Sequence, residues 1–207
     1  ILMLRLIDSL LTGYGVNDRI TNLVNNMEIW INPNGNPDGT YRGGNSTVTG
    51  ARRYNANNID INRNFPDPVA GQHPDGNAWQ PETIIMMNLA QSNRFVMSAN
   101  FHGGAEVVNY PWDTWSKLHP DNNWYVSISR KYADTVHLHS PSGYMTYLNN
   151  GITNGYAWYR VTGGRQDYYN YFARCREVCI EISDSKLLSG SLLPAHWEYN
   201  KRSFLNY

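Results

Sequence analysis

Two periods take turns along this chain. "MEIWIN" (27–32), "RFVMSANFH" (94–102), "EVVNYPW" (106–112) and "REVCIEIS" (176–183) carry the apolar alternation of strands. Between and around them lie segments of helical period. Residues 1–14 place apolar side chains at 3, 6, 7, 10, 11 and 14, with Gly13 and Gly15 as a stop. Segments 81–92, 123–139 and 193–207 follow the same spacing, and Pro81 suits a first helical position. Strands interleaved with helices predict an α/β class, with a mixed, largely parallel twisted sheet flanked by helices. The 207 residues suffice for a single domain over 1–207. No N-cap precedes the first helix, so the expectation is a domain truncated at its front and missing its first strands.

Charge excludes some functions. Lys plus Arg and Asp plus Glu both number 17, which gives no electrostatic case for nucleic acid or an anionic membrane. No apolar run approaches the ~20 residues of a membrane span. Cys175 and Cys179 share one face of a strand about 13 Å apart at ~3.3 Å per residue, too far to pair with each other. His137 and His139, two apart on a helix, share no face and read as solvent-exposed.

Polar residues collect after strand ends, where open α/β sheets place their sites. In "NNIDINRNFPD" (57–67), alternation sends Ile59 and Ile61 toward a core and Asp60 and Asn62 the other way, with Arg63 where the strand gives out. Arg53 lies ten residues before Arg63. An arginine fork matches a carboxylate, and Asn adds a donor; surface hydrogen bonding is the plain alternative. His102 closes a strand before Gly103-Gly104, as a metal ligand or an ordinary hydrogen-bonding histidine. Glu181 sits in an apolar strand, either ion-paired or facing a cleft as a base. "GGRQDYYNYF" (163–172) reads as a Gly-led, Tyr-dense loop.

"NPNGNPDG", "NNIDINRNFPD", "QPET", "ANFHGGAEVVNYPWD", "GITNGYAWY", "GGRQDYYNYF" and "REVCIEIS" follow in this order, with "LPAHWEYNKRSFLNY" closing the chain. Together they resemble the zinc carboxypeptidases, above all the regulatory branch typified by carboxypeptidases N, E and D. The resemblance implies a secreted or periplasmic exopeptidase whose partner is a peptide or protein C-terminus. It implies that Asn62 and Arg63 hold the substrate's terminal carboxylate, Arg53 polarises the scissile carbonyl, His102 binds zinc and Glu181 is the general base. Asp60 would orient another zinc-binding histidine. Asp113 and Gln166 match the branch's pocket for a basic side chain, implying release of Lys or Arg.

Two departures accompany the match. The family's H-x-x-E motif, which supplies two further zinc ligands, is absent; its His is expected about eight residues ahead of Ile1 and its Glu about five. The chain is thus expected to be metal-poor and inactive by itself. The substrate-capping Tyr falls at a column held by Asn170, flanked by Tyr169 and Tyr171; Tyr171 keeps the Asn-Tyr dipeptide and is the expected cap. Cis peptides are expected at Gly103–Gly104, Pro111–Trp112 and Ser183–Asp184. The alternatives are a non-catalytic peptide-binding domain on the same fold, or a member acting on cell-wall peptides.

Overall fold

The computed structural model describes all 207 residues. Four strands, β1 (Met97–His102), β2 (Ala105–Tyr110), β3 (Ile152–Asn154) and β4 (Arg176–Ser183), form one mixed sheet in the order β1-β4-β2-β3. β1 runs parallel to β4 and β3 parallel to β2, while β2 and β4 are antiparallel. The two central strands carry the apolar load. Val107, Val108, Val178 and Ile180 are at most 1% exposed, as expected for strands covered on both faces.

One face packs on the helix Asn122–His137 through Tyr125, Tyr132, Ala133 and Val136, backed by the helix Leu193–Asn206. A second cluster joins Ile61, Phe65, Met87, Ala90, Tyr168 and Tyr169 under the helix Pro81–Asn93. No helix is long and apolar enough to cross a membrane. Both cysteines are free and buried.

Several sequence expectations need correction. Residues 27–32 are extended at Met27 but pair with no strand. Met27, Ile29 and Trp30 stay exposed and Ile31 is half-buried: Ile29 and Ile31 line an open groove with Leu10 and Val24, and Trp30 meets Phe95 edge-on at 5.9 Å. The alternation at 59–62 breaks into a 3₁₀ turn, Ile61–Arg63, because Asp60 Oδ1 accepts the Asn62 N–H at 3.0 Å and caps it. "GGRQDYYNYF" is helical over Arg165–Tyr171, with Gly164 as its N-cap. His137 is half-buried, not exposed, and its Nε2 donates to the Met145 carbonyl at 2.7 Å; His139 is exposed as expected.

The helix Asp18–Asn26, whose Asn17 cap accepts the Ile20 N–H, and the three-residue strand β3 lie outside the segments read from sequence. Of the three expected cis bonds, only Pro111–Trp112 is cis. At the other two sites Gly104 turns the chain with φ +127° and donates its N–H to the Ser183 carbonyl at 2.7 Å, a conformation open to glycine.

Candidate active site

The face of β4 opposite Val178 and Ile180 is polar, and it is the floor of a cleft. Side chains alternate, so Glu177, Cys179 and Glu181 point the same way. Cys179 stands between Asn100 of β1 and Asn109 of β2 in the sheet register, and Glu181 stands beside His102. All of these except Glu177 line the cleft.

Glu181 is largely desolvated, and its Oε2 has no hydrogen-bond partner. Burial pushes its carboxyl up to about 7, against the opposing pull of Arg53 and Lys186. Burial, then Arg53 and Arg165, pushes His102 down to about 4, which keeps the imidazole neutral.

Three donors come from the loops before the helix Pro81–Asn93. Arg53 Nε meets Asp60 Oδ2 at 2.5 Å. Asp60 thus holds Arg53 and the 3₁₀ turn together. Asn62 Oδ1 accepts the Arg165 N–H at 2.9 Å, which turns its amide nitrogen away from that bond. Arg63 Nη1 donates to the Asn62 carbonyl at 2.7 Å.

Asp113 and Gln166 are both buried and both line the cleft. Asp113 Oδ1 accepts from Asn109 Nδ2 at 2.9 Å, and the Asp113 N–H donates to Asp167 at 3.0 Å. Burial pushes Asp113 up to about 6; Asn109 and Arg63 pull the other way, while Glu177 and Asp67 add to the rise. Gln166 is 1% exposed, yet neither atom of its amide has a protein partner. Buried polar groups are normally satisfied, so this amide is open to a partner from outside the chain, water included.

The cleft therefore gathers Arg53, Asn62, Arg63, His102, Asp113, Gln166 and Glu181. Tyr171 is the exception. It is half-exposed and packs edge-on against Trp112 at 6.2 Å and Trp115 at 5.5 Å, outside the lining. Tyr159, which sequence reasoning passed over, lines the cleft with Trp158. Burial raises its phenol above the usual value, Arg63 lowers it, and Glu181 and Asp113 raise it. Its neighbours are those of the site.

Also missed was the buried support farther along the same face of β4. Glu177 is fully buried and pairs with Arg165 Nη2 at 3.0 Å, and Asn100 Nδ2 donates to its Oε1 at 2.9 Å. The signal was present: Glu177 stands four residues before Glu181 on the same strand face.

Zinc normally takes three or four protein ligands. His102 is the only histidine in the cleft, and no group of three or more His, Cys, Asp or Glu side chains converges to hold a metal ion. These residues alone do not complete a zinc site.

A family model described as zinc carboxypeptidase matches residues 2–203. Carboxypeptidase D of Mus musculus is 39% identical over 223 residues, covering 100% of this chain and 16% of that protein. Carboxypeptidase SOL1 of Arabidopsis thaliana is 36% identical, covering 99% of this chain and 41% of its own length. Carboxypeptidase M of Mus musculus is 36% identical, covering 100% and 49%. The chain thus spans under half the length of these curated relatives.

Among solved structures, thrombin activatable fibrinolysis inhibitor superposes with a TM-score of 0.77 at 16% identity, covering 99% of this chain and 56% of the other. Carboxypeptidase A from Helicoverpa armigera gives 0.65 at 19% identity, covering 94% and 54%. These two likenesses speak for the fold. With the family match over nearly every residue, the chain belongs to the zinc carboxypeptidase family.

Proposed function

We propose that this domain serves a metal-dependent exopeptidase that releases a C-terminal Lys or Arg from peptides or proteins. The observation that carries the reading is the meeting, in one cleft, of two arginines, an asparagine amide, a carboxyl of pKa about 7 and a buried aspartate.

Arg63 and the free amide of Asn62 would pair with the substrate's terminal carboxylate, which selects chain ends over internal bonds. Arg53, fixed by Asp60, would stabilise negative charge developing on the scissile carbonyl oxygen. Glu181 is poised near neutrality to take a proton from the attacking water and pass it to the leaving amine. Tyr159 takes the capping role expected of Tyr171, because it lines the cleft and Tyr171 does not. Zinc is the family's metal, and His102 would be this chain's ligand to it. Asp113 and Gln166, both buried in the lining, would meet the basic side chain.

The test is kcat/KM of the whole zinc-loaded protein on matched peptides ending in Arg, Lys, Leu and Phe. A buried charge pair lost by truncation costs about 2–5 kcal/mol, so basic ends should be favoured roughly 30-fold or more. Asp113→Ala should erase the difference. Release of Leu or Phe as fast as Arg removes the basic pocket. Binding without release of any residue would favour a peptide-binding domain.

A further inference from the structure

Gly155 has no evident local reason to be glycine. It opens a short helix, Gly155–Trp158, capped by Asn154, whose Oδ1 accepts from the Ala157 N–H. Its φ lies outside the left-handed region that favours glycine. Glycine in a helix is less favourable than other ordinary residues. Space supplies the reason. A Cβ at 155 would lie 1.8 Å from Asp113 Oδ1 and 2.8 Å from Asn109 Oδ1.

Neither backbone can readily retreat. Tyr156 donates its N–H to the Trp112 carbonyl at 2.8 Å, and Val161 donates to the Asp113 carbonyl at 3.1 Å. Asn154 Nδ2 donates to the Pro111 carbonyl at 3.0 Å. Three bonds thus clamp segment 154–161 onto 111–113. From behind, Asp167 holds the Asp113 and Thr114 amides at 2.8 to 3.1 Å. The carboxylate is the one part free to move.

We infer that Gly155 is a positioning residue for specificity: its bare Cα forms the seat that keeps the Asp113 carboxylate aimed into the cleft. The role rests on the basic-pocket reading above. In the seat, Oδ1 is held between Asn109 Nδ2 and Gly155, and Oδ2 accepts no protein hydrogen bond. Oδ2, the unpartnered Asn109 Oδ1 and the unpartnered Gln166 Oε1 thus belong to residues of one cleft lining and leave acceptors open. A guanidinium or ammonium, which only donates, fits such a lining. A side chain at 155 would swing the carboxylate out and break the Asn109 bond, while leaving Asn62, Arg63 and Arg53 in place.

The experiment pairs two readouts on wild type, Gly155→Ala, Asp113→Ala and the double variant. Calorimetric titration with N-acetyl-arginine and N-acetyl-leucine reads selectivity. Gly155→Ala should weaken N-acetyl-arginine at least tenfold and leave N-acetyl-leucine within about twofold. Thermal unfolding reads the seat itself. Gly155→Ala should lower Tm in wild type and change it little in Asp113→Ala, where the carboxylate is gone. Retained arginine preference in Gly155→Ala, or an equal Tm loss in both backgrounds, overturns the inference. Wild type that binds both ligands equally overturns the basic pocket, while the Tm cycle still decides whether Gly155 seats Asp113.

Discussion

Arg165 and Glu177 form an ion pair at 3.0 Å; Glu177 lies two residues before Cys179 on the same face of β4, and Arg165 opens the helix that carries Gln166. Glu177 is fully buried, and Arg165 also lies over the Tyr169 ring at 4.4 Å. The same Arg165 donates its backbone N–H to Asn62. The pair therefore ties the sheet to the loop that would hold a substrate carboxylate.

Removing one partner should unfold the protein more readily. Arg165→Met leaves the Glu177 carboxylate with only Ser98 and Asn100 as donors. Stranding a buried charge costs about 3–5 kcal/mol. Denaturant unfolding with an unchanged slope should report that loss; a change under about 1 kcal/mol would deny the pair a structural role.

Glu181→Gln in the whole zinc-loaded protein should retain peptide binding and lose turnover by roughly 10²–10⁴-fold, the usual contribution of general base catalysis. Single-turnover kinetics beside equilibrium binding separates the two. Near-normal kcat would remove Glu181 from the mechanism.

Arg63→Ala should raise KM for peptides with a free C-terminus and narrow their advantage over amidated ones. The wild-type protein should discriminate strongly between the two. Equal rates on amidated and free peptides in wild type would contradict the carboxylate role.

Asp113 gives a pH signature. Its folded pKa of about 6 lies above the ordinary value of 3.8, so between those values the folded state holds a proton that the unfolded chain has released. Stability of the ligand-free protein should therefore fall as pH rises from about 4 to 6 and stay lower above that window. Asp113→Asn should flatten that slope and stabilise the protein at pH 7 by about 1–3 kcal/mol, from the 1.36 kcal/mol per pKa unit. Thermal melts at several pH values provide the check, and a wild-type stability that rises from pH 4 to 6 at this site would contradict it.

Titrated with zinc, the 207-residue chain should show no tight stoichiometric site, since one cleft histidine cannot replace three ligands. A one-to-one calorimetric isotherm with submicromolar affinity would overturn this.

How far the site could be read from the residues depended on distance in the chain. Glu181 and His102 stand at strand ends, where local pattern marks the place. Arg53, Asn62 and Arg63 sit in an Asn-rich loop whose composition alone spoke equally for surface hydrogen bonding. Tyr171 was favoured over Tyr169 by a dipeptide match, but tertiary packing sends it to Trp112 and Trp115, and Tyr159, which lines the cleft, carried no mark in its own segment. Alternation at 27–32 promised a strand, but a strand is a relation between segments, and nothing in the residues names a partner. Asp60 capped a turn that its apolar neighbours argued against, because its side chain offers the backbone a competing acceptor.

Asp60 also acts before any ligand arrives. An arginine side chain carries about 2 kcal/mol of rotamer entropy, and Arg53 is still 42% exposed in its side chain. The bond to Asp60 Oδ2 fixes that side chain as the protein folds. Its ordering belongs to the folding equilibrium and not to any later encounter, so under the proposed reading the guanidinium would be preorganised for the charge developing on a carbonyl oxygen.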